Sequence, residues 1–306
     1  MMQTLTGIFP VLPTPFRADG SADAVALARL VAFAVRSGVA GVVYPGFASE
    51  VETLARGERS GLLKAVADAA GEGTTVIAGA SAATAEEVVE HGKTAAELGI
   101  NHLMIQPPNA LGGEVESVIA FMSKIAEALP DAQIILQNAP APRGSDLSPA
   151  TIVAVVRAVR QVVYVKEETL PAGPAITHIL KHRPDNLLGV FGGGGARYIL
   201  DEYARGACAA MPALELAPEH VAMDRAWRAG RKDEARDIYV RTLPLLVLQA
   251  VYRMRLTKYV LMRRGALETI GVRAPTPELD ASVRMDIEAN LAALGIADPL
   301  PEMEGA

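Results

Sequence analysis

Lys166 is the residue with the clearest chemistry. It ends the run Val162-Val163-Tyr164-Val165, so it stands inside or at the end of a buried strand, where an ammonium is costly without a task. Desolvation disfavours the charged form of an amine, and the neutral amine attacks carbonyl carbon. The competing reading is a lysine salt-bridged to Glu167 or Glu168 at a strand end. Adjacent strand residues point to opposite faces, which weakens the Glu167 pairing. Other candidates are weaker. Gly192 to Gly195 reads as a crowded rim in preference to a phosphate nest, since no lysine follows it. His178 and His182 have i, i+4 spacing but no glutamate between them, which favours a solvated helix face over a metal site. Cys208 reads as inert core of an eighth strand. Glu50 reads as a carboxylate that caps its own loop's N–H groups or opens a helix.

The elements that must position these residues are legible as a repeat. Short apolar runs rich in β-branched residues, each ended by Gly or Pro, start near residues 7, 41, 74, 102, 132, 162, 186 and 207, spaced 21 to 34 residues apart. Each gap holds one helical pattern. Leu27, Leu30, Val31 and Ala34 follow helical spacing, with Ser21 as expected N-cap and Gly38 as the stop. Thr84-Ala85-Glu86-Glu87 reads as a capping box, with Gly99 closing that helix. Ser148-Pro149 supplies a cap and an N1 proline. Continuous rather than alternating apolar strands imply a sheet covered on both faces. Eight such units predict a (β/α)8 TIM barrel over residues 1–216, with a helical extension over 217–306 packed on it. In that extension Lys232 to Arg264 reads as a long helix broken only by Pro244, followed by a short amphipathic helix around Met285 to Leu294. In this fold the site lies at the carboxyl ends of the strands.

Composition narrows the partners. Of 306 residues, 29 are Lys or Arg and 35 Asp or Glu, a net charge of −6 without a basic block, which argues against nucleic acid. One cysteine excludes a disulfide framework and a thiolate metal cluster. The amino terminus shows no signal-peptide pattern and no apolar run reaches membrane length, so a cytoplasmic protein without a membrane partner is expected.

Four segments together resemble the dihydrodipicolinate synthase / N-acetylneuraminate lyase family. They are Gly7-Ile8-Phe9-Pro10-Val11-Leu12-Pro13-Thr14-Pro15-Phe16, the Gly46-x-x-x-Glu50 loop, Asn138-x-Pro140, and Val165-Lys166-Glu167. The resemblance spans essentially the whole chain. It implies a barrel with C-terminal helices, a homotetramer built as a dimer of dimers, and an imine between Lys166 and a small 2-oxo acid. That imine needs no cofactor and no metal.

The chain also departs from the family pattern. Where the family has Gly-Thr-Thr-Gly-Glu, this sequence has Gly46-Phe47-Ala48-Ser49-Glu50, and the strand-five tyrosine is replaced by Gln137. Asn109 follows Pro107-Pro108 where the family often places a tyrosine, and Pro142 stands at the substrate-gripping arginine's place with Arg143 beside it. Glutamine orients a group but has no useful acid–base pKa. Phe47-x-Ser49-Glu50 with Gln137-x-Ala139-Pro140 is similar instead to the 2-dehydro-3-deoxy-L-arabonate dehydratase branch, although Asn138 replaces its aspartate. The resemblance therefore implies dehydration of a 3-deoxy-2-oxo sugar acid, with Lys166 as nucleophile and Gln137 orienting the reacting hydroxyl or water. Phe47, Ala48 and Ser49 would hold the substrate carboxylate, Gly193 would admit the substrate to the backbone, and Ala210 counts with these binding positions. The alternatives are a pyruvate-releasing aldolase and a non-catalytic 2-oxo-acid binder.

Overall fold

The computed structural model describes residues 4–296. Among these the eight apolar runs become β1 Gly7–Ile8, β2 Gly41–Tyr44, β3 Thr75–Gly79, β4 His102–Ile105, β5 Gln133–Asn138, β6 Val162–Glu167, β7 Gly189–Gly192 and β8 Ala209–Ala210. The helices are α1 Ala24–Arg36, α2 Arg56–Ala70, α3 Ala85–Glu97, α4 Val115–Ala128, α5 Pro149–Ala158, α6 Ala172–Lys181, α7 Ile199–Ala204, α8 Ala217–Arg228, α9 Lys232–Arg263 and α10 Ala281–Ala293. The strands form one sheet in the order β1-β8-β7-β6-β5-β4-β3-β2. Val11 bridges in parallel both to Val43 in β2 and to Ala213 just beyond β8, which closes the ring. This is the (β/α)8 barrel expected from the spacing.

The chain packs as two compact units. Among the described residues one holds 4–9 and Val76–Met211; the other holds Pro10–Thr75 and 212–296. In the first, Phe9 and Tyr164 each meet Phe191 edge to face, with ring centres 5.5 and 5.3 Å apart. That aromatic cluster fills the inward face two residues before Lys166 on β6. In the second, α1 packs on α2, and α9 packs on α8 and α10.

The helices follow the expected chemistry with two corrections. Thr84 accepts the Glu87 N–H and Ser148 the Thr151 N–H, and Pro149 opens α5. The cap of α1, however, is Asp23, whose carboxylate accepts the N–H groups of Val25 and Ala26. Ser21 lies too far upstream and donates to Asp19 instead. The long C-terminal helix runs through Pro244 and breaks at Arg253, where φ is 49° and ψ −130°. Proline removes one N–H from the ladder but has helical φ, whereas φ of 49° cannot continue a right-handed turn. Cys208 precedes β8 and is half-buried, its sulfur 2.4 Å from where a Cβ on Gly189 would sit.

Candidate active site

In the first unit β5 and β6 pair in parallel, with Gln137 opposite Lys166 and Asn138 opposite Glu167. Opposed residues of a parallel pair share a face, so Gln137 and Lys166 point one way and Asn138 and Glu167 the other. Glu168, two residues beyond Lys166, returns to the face of the lysine. Its carboxylate accepts from Lys166 Nζ at 2.9 Å, Gln137 Nε2 at 2.7 Å and Arg143 Nη2 at 2.6 Å. Lys166 and Gln137 are each only 5% exposed. Burial alone would push the Glu168 carboxyl up. The charges of Lys166 and Arg143, with the hydrogen bonds they donate, outweigh it and hold the group at about 2. Glu168 is thus ionised at rest, 2.9 Å from Lys166 Nζ.

Local backbone chemistry brings Arg143 to this point. The loop after β5 folds back through Gly144 N–H to Pro140 O at 3.0 Å and Asp146 N–H to Ala139 O at 3.1 Å. A Cβ on Gly144 would lie 2.5 Å from Ala139 O, so the fold-back needs glycine. Gln106 Nε2 donates to Arg143 O at 2.7 Å and fixes the loop against the end of β4. Asn138 serves as a brace. Its amide donates to Leu147 O and to the Glu167 carboxylate, and its oxygen accepts the Leu147 N–H. Burial raises the Glu167 carboxyl, against the hydrogen bonds from Asn138 and Thr169.

The same unit shows what the glycine-rich end of β7 does. A Cβ on Gly193 would stand 2.3 Å from Glu168 Cγ and 2.8 Å from Glu167 O. A Cβ on Gly192 would stand 2.0 Å from a carboxylate oxygen of Glu202 on α7. Crowding explains both glycines without a phosphate. Glu202 is 1% exposed, and burial raises its carboxyl to about 8. Ala210 pairs with Gly192, which pairs with Glu167, so its side chain lies on the face opposite Lys166, and its carbonyl accepts the Phe9 N–H at 2.9 Å. His178 and His182 stack at 4.3 Å, and His182 Nδ1 lies 2.9 Å from His178 O. Among the described residues no group of three or more His, Cys, Asp or Glu is placed to hold a metal ion.

In the second unit Phe47, Ala48 and Ser49 form a single 3-10 turn after β2. Ser49 Oγ donates its one proton to Leu12 O at 2.5 Å and accepts the Gly46 N–H at 2.9 Å. The hydroxyl therefore shapes the turn and has no proton left for a carboxylate, which revises the expectation for Ser49. Thr14 Oγ1 donates to Ser49 O at 2.6 Å, so the Tyr44 hydroxyl, 2.9 Å away, must donate to Thr14. Burial pushes the Tyr44 phenol above its usual range, which keeps that donor protonated. Phe47 is 38% exposed, with the Arg253 guanidinium 5.8 Å from its ring centre. Glu50 does not cap its own loop: its carboxylate takes Lys258 Nζ and the N–H groups of Arg273 and Ala274.

Two carboxylates stand out in the structure and not in the sequence. Glu168 entered only as a salt-bridge partner for Lys166, yet it is the centre of the cluster; its i, i+2 relation to the lysine was the available signal. Glu202 had no signal beyond being an ordinary helix carboxylate.

Residues 4–294 match the model of the dihydrodipicolinate synthetase family. The chain is 30% identical over 295 residues to a 4-hydroxy-tetrahydrodipicolinate synthase of Chlorobium limicola, across 95% of this chain and 98% of that one. It is 29% identical over 298 residues to an L-2-keto-3-deoxyarabonate dehydratase of Azospirillum brasilense, across 96% and 95%. Among solved structures, a dihydrodipicolinate synthase from Rhodopseudomonas palustris superposes with a TM-score of 0.87 at 26% identity, covering 94% of this chain and 97% of that one.

Proposed function

The chain belongs to the dihydrodipicolinate synthetase family of lyases, and from that premise we propose that it dehydrates a 3-deoxy-2-oxo sugar acid of the 2-dehydro-3-deoxy-arabonate type. The observation that carries this reading is the convergence of Lys166, Gln137 and Arg143 on Glu168. Lys166 Nζ passes a proton to Glu168 and adds to C2; loss of the C2 oxygen as water leaves an iminium. The iminium acidifies C3, whose proton goes to a carboxylate, and the resulting enamine expels the C4 hydroxyl as a second water. Where the synthases of this family use tyrosine, Gln137 has no proton to trade, so proton transfer falls to Glu168 and Gln137 orients the departing hydroxyl. Hydrolysis of the imine takes up one water and, with tautomerisation, releases a dioxo acid.

The Ser49 and Glu50 N–H groups bond inside their turn, which leaves the Ala48 N–H as this turn's candidate donor to a carboxylate, with Phe47 beside it. The backbone of Gly193 admits the substrate. The working form in this reading is a cytoplasmic homotetramer using no cofactor beyond the Lys166 imine. Near full-length similarity to the Azospirillum dehydratase supports the reaction class. The equal similarity to synthases favours one second reading, a pyruvate-releasing aldolase. Incubation with five- and six-carbon 3-deoxy-2-oxo sugar acids decides: a dioxo acid without pyruvate is expected. Pyruvate release establishes the aldolase, and absence of both turnover and a borohydride-reducible adduct favours a non-catalytic binder.

A further inference from the structure

Glu202, on α7 in the unit that holds Lys166, is a buried carboxyl without a partner. It is 1% exposed, and neither of its oxygens is hydrogen-bonded. Its main chain is fixed, the N–H donating to Tyr198 O and the carbonyl accepting the Ala207 N–H, both at 3.0 Å. The side chain reaches β7 and fills the place where Gly192 lacks one. A Cβ there would lie 2.0 Å from Oε2, 2.7 Å from Cδ and 3.3 Å from Cβ of Glu202. Gly192 pairs with Glu167, so this contact is on the face of β7 away from Lys166. The next residue, Gly193, bears on Glu168: a Cβ on it would stand 2.3 Å from Glu168 Cγ. The Gly192–Gly193 backbone is thus held between two acidic side chains, Glu202 on one side and Glu168, the partner of Lys166, on the other. An unpartnered buried carboxyl costs stability that an apolar side chain of similar size would not. Packing alone gives no reason for an acid at this place.

We propose that Glu202 is a positioning residue: its carboxyl, seated against Gly192, holds the Gly192–Gly193 backbone in contact with Glu168 and thereby sets the rate at which Lys166 adds to a 2-oxo acid. This rests on the reading that Lys166 forms the imine and Glu168 takes its proton. Glu202 acts through the end of β7 and not on the reacting atoms. The charged groups around it are Asp201 on its own helix and Glu167 and Glu168 at the end of β6. Asp201 pairs with Arg205 at 2.8 Å, and α6 meets α7 through Gly173 and Thr177, which carry no charge; β7 and β8 add none. Burial raises the Glu202 carboxyl to about 8 and the three carboxylates add to the rise. The Gly193 N–H, close to it but outside hydrogen-bond geometry, opposes them. At neutral pH the group is uncharged and sits against glycine backbone. Ionised, it repels the Glu168 carboxylate and attracts the Gly193 N–H, and both forces move the backbone that Glu168 rests on.

The test uses pyruvate as probe and follows borohydride-trapped imine in the wild type, Glu202→Ala, Glu202→Gln and Glu168→Gln, with thermal unfolding to confirm each fold. Removing the carboxyl in Glu202→Ala should slow imine formation at pH 7 by about tenfold or more, while the half-saturating pyruvate concentration stays within about threefold. Glu202→Gln, the uncharged isostere, should rescue the rate. Between pH 7 and pH 9.5 the wild-type rate should fall about tenfold relative to that of Glu202→Gln, because only the wild type ionises there. That comparison needs only the isosteric variant, so it stands whatever the stability of Glu202→Ala. A folded Glu202→Ala protein that forms imine at the wild-type rate, or the same pH profile in Glu202→Gln as in the wild type, overturns the positioning role alone. A wild-type rate in Glu168→Gln, or no adduct in the wild type, overturns the underlying functional reading, and the inference with it.

Discussion

Replacing Gly193 with alanine drives a methyl group into Glu168. The added carbon would stand 2.3 Å from Glu168 Cγ, and ordinary contact begins at 3.4 Å, so the side chain must retreat by about 1.1 Å. The other neighbour, Glu167 O at 2.8 Å, is backbone of β6 and cannot give way cheaply. Glu168 now holds Lys166 at 2.9 Å, Gln137 at 2.7 Å and Arg143 at 2.6 Å. A retreat of that size takes the carboxylate out of hydrogen-bond range of at least one of them. Overpacking of this kind costs about 1–3 kcal/mol of stability, and an ångström of misplacement at a reacting group costs about 100-fold in rate. Gly194→Ala is the control. Its Cβ would meet nothing closer than Tyr198 at 3.5 Å, so it carries only the strain of φ 58° and should keep kcat within a few-fold of wild type. Steady-state turnover of the oxo acid, with thermal unfolding to confirm the fold, separates the two. A folded Gly193→Ala enzyme with wild-type kcat would refute the claim that Glu168 must sit where it does.

Three further outcomes follow from buried charges. Glu202 is an acid raised by burial from 4.5 to about 8, so the stability carried by its protonated form is complete below about pH 4.5 and is lost as the pH rises through 8. Urea midpoints should fall over that window by the equivalent of a few kcal/mol, on the order of 1.4 kcal/mol per unit, and Glu202→Gln should flatten the fall. His220 is 1% exposed with neither ring nitrogen hydrogen-bonded, and burial, aided by Arg264, lowers it to about 3. Being a base with a depressed value, it contributes stability above pH 6.5 that is lost as the pH falls through 3; His220→Leu should make the urea midpoint less sensitive to acid between pH 4 and 6.5. Arg143→Gln removes one of the two cations that hold Glu168 near 2, so the acid limb of kcat/KM should move to higher pH by about one unit.

The barrel was legible because each strand is a continuous apolar run with a Gly or Pro stop, a pattern local to a few residues. Within the site, the pairing of Lys166 with Glu168 follows from a two-residue period and needed no tertiary information. Arg143 and Gln137 lie 25 and 31 residues from Glu168 in sequence; the β5–β6 register brings Gln137 to it and the fold-back of the loop after β5 brings Arg143. Glu50 reads as a local cap, yet its partner Lys258 is 208 residues away. The break in α9 had a visible local candidate, Pro244, and occurs instead at Arg253, where no residue-level signal marks it. For Gln137, Arg143 and Glu50 what escaped the sequence is a long-range contact, which periodicity and capping chemistry do not encode.

The central claim is that Lys166 forms the imine. Borohydride reduction in the presence of a 2-oxo acid, followed by peptide mass spectrometry, tests it directly. The account predicts a single covalent adduct on the peptide carrying Lys166, and neither adduct nor turnover in Lys166→Ala. An adduct on a different lysine, or full activity in Lys166→Ala, would contradict it.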